Sequence, residues 1–315
     1  MFTYGFLNLI EIIQIEKGYK MGSNLFDSEI KNLEALTKSG AFGSESQNLL
    51  KKRGEISTQE FIYLSFCSIY DDPNFDYETL PYIIDFMDLF REGQSTNPQA
   101  MVDIITASMV GDKNNLQLET MSSYTRFLTE HQILKNNLSE MSKERSVDPL
   151  KRIELANAIL HDYSNGFEYC MKLFTFIIAI ARVVNGKEYD LQIIDKQPSS
   201  NKLNLFRQID GGKHNLLVDG WDDRIRNADS HASIVYNPQT CLFEGKNNHY
   251  QKTDTGKIRR VEEFTITPVE LLTKVIPRVG RFIHGYLGAS YLLYLVNADR
   301  EYYDKAVVIL KELSK

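Results

Sequence analysis

Arg226, Asn227 and His231, within the stretch "DDRIRNADSHAS" at 222–233, are the residues of this chain whose types and spacing best suit chemistry on a phosphate. Arginine braces a charged phosphoryl group through paired N–H donors. Histidine gains and loses a proton near neutral pH. An amide side chain orients either partner. Together they suit RNA cleavage, because RNA carries its own nucleophile in the 2′-hydroxyl and needs only proton movement and charge stabilisation. One neutral imidazole takes the 2′ proton, a protonated one gives a proton to the departing 5′ oxygen, and no metal is required. The same residues also have a plainer use, with Arg226 pairing to Asp222 or Asp223 on a solvated helix face and His231 meeting a local hydrogen bond.

Geometry limits how these groups meet. On a continuous α-helix, residues five apart are rotated by about 140° and displaced by about 7.5 Å, so Arg226 and His231 do not close on one small group. Asn227 and His231 are four apart and share a face. Either the helix ends or bends within "NADS", or a second copy of the motif completes the site across a two-fold axis, where each patch meets itself.

The elements that must position this stretch are mostly helical. Asp148 and Pro149 read as an N-cap and first-turn proline of a long helix through "FEYCMKLFTFIIAIARVV", stopped at Asn185 and Gly186. After the polar loop "DKQPSSNK", a helical pattern resumes at "LNLFRQI" and leads to the motif. Between 234 and 266, β-branched and aromatic runs separated by Asn-Pro, Gly-Lys-Asn-Asn and Thr-Gly turns predict two or three short strands. Thr267, Pro268 and Glu270 form a capping box opening a terminal helix that Pro277 kinks.

Upstream, Ser57 and Glu60 cap one helix, Asn97 and Pro98 open another that Gly111 closes, and "YETLPYIIDFMDLFREG" is amphipathic, ending at Gly93. A polar-rich helix follows over "LQLETMSSYTRFLTEHQILKNNLSEMSKE". The fold class is therefore mainly α: an N-terminal helical domain over 1–147 and a C-terminal helical domain over 148–315 with a small β-hairpin insertion.

An arginine followed by a polar residue and, after four to six intervening positions, a histidine near a helix end resembles the signature of the HEPN family (higher eukaryotes and prokaryotes nucleotide-binding domain); the match is "RNADSH". The resemblance covers roughly residues 148–300. It implies a HEPN-like helical bundle, metal-independent endoribonuclease activity in a toxin, abortive-infection or antiviral defence role, a homodimer that forms the composite site, and RNA as substrate. It assigns Arg226 and His231 as catalytic, with Asn227 as polar companion. Members paired with nucleotidyltransferase antitoxins carry a tyrosine two places after the histidine. Here Ser233 stands there, with Tyr236 nearest, so this chain departs from the members controlled by tyrosine nucleotidylation. An antitoxin or activating partner and an N-terminal domain that senses a trigger or restrains the site complete this expectation. The alternative is a non-catalytic HEPN-like module that binds a nucleotide or protein partner.

Arg278 and His284, with five residues between them, also fall within the family spacing, but Val279 follows the arginine and the stretch is apolar, so a packed histidine is the preferred reading. Basic residues gather downstream of the motif. From 246 to 284, Lys246, Lys252, Lys257, Arg259, Arg260, Lys274, Arg278 and Arg281 outnumber the acids by four in a chain of net charge −6. They read either as an RNA-backbone track, with Lys274, Arg278 and Arg281 at helical spacing, or as a solvated helix face and basic hairpin. Trp221 reads as a core anchor more than a base-stacking platform. His214 and His249 are expected at the surface, and His131 and His161 in helices without partners at ligand spacing, so neither metal nor cofactor is assigned.

A chain of 315 residues with 43% apolar content builds a buried core, and its acidity excludes coating nucleic acid by bulk charge. Cys67, Cys170 and Cys241 are scattered and odd in number, which suggests neither a disulfide framework nor a zinc knuckle and fits a reducing cytoplasm. The apolar start "MFTYGFLNLIEIIQIEKGYK" lacks a basic n-region and a small-residue cleavage site, so it does not read as a signal peptide; either Met1 or Met21 serves as the native start. "LFTFIIAIA" at 173–181 is far short of the ~20 residues that span a bilayer.

Overall fold

The computed structural model describes residues 24–39, 43–70, 76–112, 115–143, 148–253 and 256–313. The apolar first 20 residues, Met21 and Asp254 lie outside them. The described residues are mainly helical, with one small antiparallel sheet among them. In order, the helices are α1 (Asn24–Lys38), α2 (Gly43–Lys52), α3 (Thr58–Tyr70), α4 (Leu80–Thr96), α5 (Pro98–Val110), α6 (Met121–Met141), α7 (Pro149–Val184), α8 (Leu191–Asp195), α9 (Ser199–Asp210), α10 (Asn215–Val218) and α11 (Asp223–Ser230). Strands β1 (Ile234–Asn237), β2 (Leu242–Thr253) and β3 (Gly256–Ile266) follow, then α12 (Ile276–Ala298) and α13 (Arg300–Leu313).

The helix boundaries follow from local chemistry. The Glu60 N–H donates to Ser57 Oγ, and the Ala100 N–H donates to Asn97 Oδ1 ahead of Pro98. Each satisfies a donor that the first turn leaves open. The Leu150 N–H donates to Asp148 Oδ1 at the start of α7. That helix ends where Gly186, at φ +62°, lets the Lys187 N–H reach back to the Arg182 carbonyl. The Glu270 N–H donates to Thr267 Oγ1. Beyond it the irregularity expected at Pro277 is a π turn over Leu271–Val275. Pro277 has no N–H for the carbonyl of Thr273, so the register widens just before it.

The chain forms two compact units. One comprises the described residues up to Thr125, Cys170–Asp219 and those from Arg281; the other comprises Arg126–Tyr169 and Gly220–Gly280. Their division runs inside α6, α7 and α12 and does not fall at residue 147, because long helices such as α7 contribute to both cores.

In the first unit, residues 173–181 of α7 are buried on every side, which is why that run is apolar without alternation. Around them Phe86 meets Phe282 and Tyr286 edge-on at 5.1 and 5.5 Å, and Phe174 stacks on Phe282 at 5.2 Å. Gly93 lies inside α4, not at its end. A side chain there would strike the Met101 sulfur, so close helix packing, not termination, explains this glycine. Among the described residues no helix is long and apolar enough to cross a membrane.

The second unit packs α11 and the sheet with the parts of α6, α7 and α12 that it contains, around Leu134, Ile159, Tyr163, Phe167, Ile225, Phe243 and Val279. The sheet order is β1-β2-β3, all antiparallel. "GKNN", expected as a turn, is the middle of β2. Gly245 faces Phe264 across the ladder, with the ring over the place where a Cβ would sit, so the glycine accommodates an aromatic rather than a reversal. Asn237 makes the β1–β2 turn by accepting from the Gln239 N–H.

Candidate active site

Helix α11 is short and held at both ends. Asp222 caps it by accepting from the Arg224 N–H at 3.0 Å. The Arg224 side chain then ties cap to sheet, donating to both oxygens of Asp222 and to Glu262 of β3 while lying 5.4 Å over the Phe264 ring. The Asp222 carbonyl accepts from the Tyr163 hydroxyl of α7 at 2.6 Å. Burial, and then the neighbouring Asp222 charge, push the Asp223 carboxyl above its ordinary pKa. Ile225 and Ala228 are buried, while Arg226, Asn227 and Asp229 are each partly exposed.

The helix continues through "NADS" and ends with His231 as its cap, so Arg226 and His231 keep the helical offset between them. The His231 N–H donates to the Asn227 carbonyl at 3.1 Å. Ala232 then takes φ +49°, and the Ser233 N–H closes on the Ala228 carbonyl at 2.7 Å. Ser233 also exchanges hydrogen bonds with Lys246 of β2. The sheet thus anchors the exit of the motif and leaves the His231 side chain exposed.

Arg226 is half-buried, and its partner is neither Asp222 nor Asp223. Its Nη2 and Nε donate to one oxygen of Glu168 on α7, at 2.6 and 2.9 Å, and its Nη1 donates to Asn227 Oδ1 at 3.3 Å. A second contact between the helices is His161 Nδ1 with Asp229 Oδ2 at 3.7 Å. His131 Nδ1 lies 3.2 Å from the buried Asp162. Glu168, His161 and Asp229 were not anticipated from the sequence. The signal was present: His161, Asn165 and Glu168 recur at i, i+4 and i+7 as a polar stripe on an otherwise apolar helix.

Several of the downstream basic residues have partners of their own. Lys246 pairs with Glu263 directly across the ladder at 3.0 Å, and Lys274 with Glu270 at 4.0 Å. The Arg278 guanidinium lies 5.3 Å over the Trp221 ring, which also meets Phe167 edge-on. Arg281 belongs to the other unit, where Asp76 and Glu78 hold it. Arg260 is exposed on β3, while the side chains of Lys252, Lys257 and Arg259 fall outside the described residues, as does that of His249. His284 is partly buried in α12.

His214 is a correction. It is 5% exposed, with Nδ1 2.5 Å from Asp85 of α4 and its backbone N–H donating to Asp210. Two carboxylates on neighbouring elements hold it inside, a pairing that local polarity in the sequence does not reveal. Among the described residues no cluster of histidine, cysteine and acidic side chains is arranged to hold a metal ion. Comparison with protein families, curated proteins and solved structures finds no match for this chain.

Proposed function

We propose that the protein is a metal-independent endoribonuclease of HEPN type, working in the cytoplasm as a two-fold dimer in a toxin or antiviral defence role. The observation that carries this reading is that Arg226, Asn227 and His231 share one short helix and its cap, with Arg226 held by Glu168, the exit of the helix held by the sheet and His231 exposed. A neutral His231 takes the 2′ proton as the 2′ oxygen attacks phosphorus. The bond to the 5′ oxygen breaks as a protonated histidine, His231 of the second copy, returns a proton there. Arg226 bears the charge of the pentacoordinate phosphorus, with Asn227 beside it. The products are a 2′,3′-cyclic phosphate and a 5′-hydroxyl.

The Glu168 contact favours a second reading, a non-catalytic module that binds a nucleotide or protein partner, because a carboxylate on Arg226 competes with phosphate. The experiment that separates the two is incubation of the purified protein with single-stranded RNA in excess EDTA. The ribonuclease reading expects cleavage that Arg226→Ala and His231→Ala each remove; the module reading expects intact RNA with every variant.

A further inference from the structure

A pocket of about 440 Å³ lies in the first unit, between the last turn of α7 and the α8–α9 segment. Its size is in the range of small-ligand sites. Arg182 lines it. The Nη1 of Arg182 donates to the Glu188 carbonyl at 3.1 Å, its Nε is buried without a hydrogen-bond partner, and it forms no ion pair among the described residues. Arg207, Arg224, Arg226 and Arg281 all have carboxylates. With Nε enclosed and an Nη1 N–H on the Glu188 carbonyl, an anion's contacts fall to the remaining Nη donors of a guanidinium that lines the pocket and has no carboxylate among the described residues.

The rest of the lining narrows the anion. Asn201, Asn204 and Gln208 recur along one stripe of α9, and Gln197 adds a fourth amide. Asn204 Oδ1 accepts only a long bond from Arg207, at 3.5 Å. Amide side chains both donate and accept, so they match amide edges on a ligand. Ile193, 61% exposed, supplies an apolar wall. With Arg182 the sole charged residue of the lining, one negative charge is balanced. A phosphomonoester, at about −1.5 to −2 near neutral pH, asks for more.

We propose that this pocket binds a small organic monoanion whose body carries amide-type hydrogen-bonding groups, with the charge on Arg182 and the amide edges on Gln197, Asn201 and Gln208. Two sources offer that chemistry: a short peptide-like carboxylate and a cyclic nucleoside phosphodiester. This site is independent of Arg226 and His231.

The test is calorimetric titration of the full chain with four probes: an N-acetylated dipeptide acid, the same dipeptide as its C-terminal amide, a nucleoside 3′,5′-cyclic monophosphate, and the uncharged nucleoside. One acid is expected to bind at least about tenfold more tightly than its neutral counterpart, as a charge-assisted contact implies. The pair that shows this difference identifies the source. Arg182→Gln is expected to abolish the difference and Arg182→Lys to restore part of it. Gln208→Leu, at an exposed position, is expected to weaken binding and serves if Arg182→Gln does not fold. No binding of either acid at millimolar concentration, equal binding of acid and neutral form, or an undiminished preference in Arg182→Gln would overturn the proposal.

Discussion

One oxygen of Glu168 receives two N–H groups of Arg226, so the guanidinium of the candidate site is held on α7, 58 residues earlier in the chain, rather than by the acids beside it. This contact orients the arginine and also sets a negative charge against it. Glu168→Gln keeps an acceptor and removes the charge. It is expected to tighten RNA binding while retaining cleavage, whereas Glu168→Ala lets the side chain wander and lowers cleavage about tenfold. Both side chains are partly exposed, so either change costs only about 0–1 kcal/mol of stability. Filter binding and initial rates on one oligonucleotide check the pair; equal behaviour of the two variants would remove the orienting role.

Arg278 separates structure from chemistry. Its guanidinium covers Trp221 beside Gly220, where φ is +76°. Arg278→Ala is expected to lower the thermal midpoint by a few degrees, a cation–π and packing loss of about 1 kcal/mol, and to leave substantial cleavage. Arg226→Ala is expected to do the reverse. Melting curves and rates for both, with loss of activity following Arg278 instead, would relocate the site.

Much of this architecture is legible locally. Ser57, Asn97, Asp148 and Thr267 mark helix starts because capping depends on residues two or three apart. What is not legible depends on distant partners. "GKNN" looks like a turn until Phe264 is placed over Gly245, and His214 looks like a surface residue until Asp85 is brought to it from 129 positions away. The same holds at the site: the sequence isolates Arg226, Asn227 and His231, but only the packing of α7 on α11 reveals Glu168 and His161.

Gly166 sets how closely α7, which carries Glu168, packs on α6 and α12. A Cβ there would lie 2.6 Å from Val279 and 2.9 Å from Phe127. Alanine normally gains about 1 kcal/mol over glycine inside a helix, but overpacking costs about 1–3 kcal/mol. Gly166→Ala is expected to destabilise the protein and, by displacing α7, to reduce cleavage through Glu168. A raised urea midpoint would show that the neighbours yield freely.

His214 gives a pH dependence of known sign. Burial alone lowers its pKa, but the hydrogen bond and charge of Asp85, with the charges of Asp210 and Glu92, outweigh it and hold the pKa above the ordinary histidine value. A group with a raised folded pKa contributes its stability fully below the unfolded value of about 6.5 and loses it as pH rises through the folded value. The urea midpoint is therefore expected to fall from pH 6 to pH 8.5, and Asp85→Asn to flatten that fall. An unchanged slope in Asp85→Asn would assign the dependence to other groups.

The most direct measurement of the central claim compares two oligonucleotides in excess EDTA, one all-ribose and one with hydrogen in place of the 2′-hydroxyl at the scissile nucleotide, with the ends of the products analysed. The 2′-oxygen mechanism predicts that the all-ribose strand yields a 2′,3′-cyclic phosphate or its hydrolysis product with a 5′-hydroxyl, that the deoxy position stays intact, and that His231→Ala leaves both uncut. Cleavage at the deoxy position, or cleavage that appears only when magnesium is added, would contradict it.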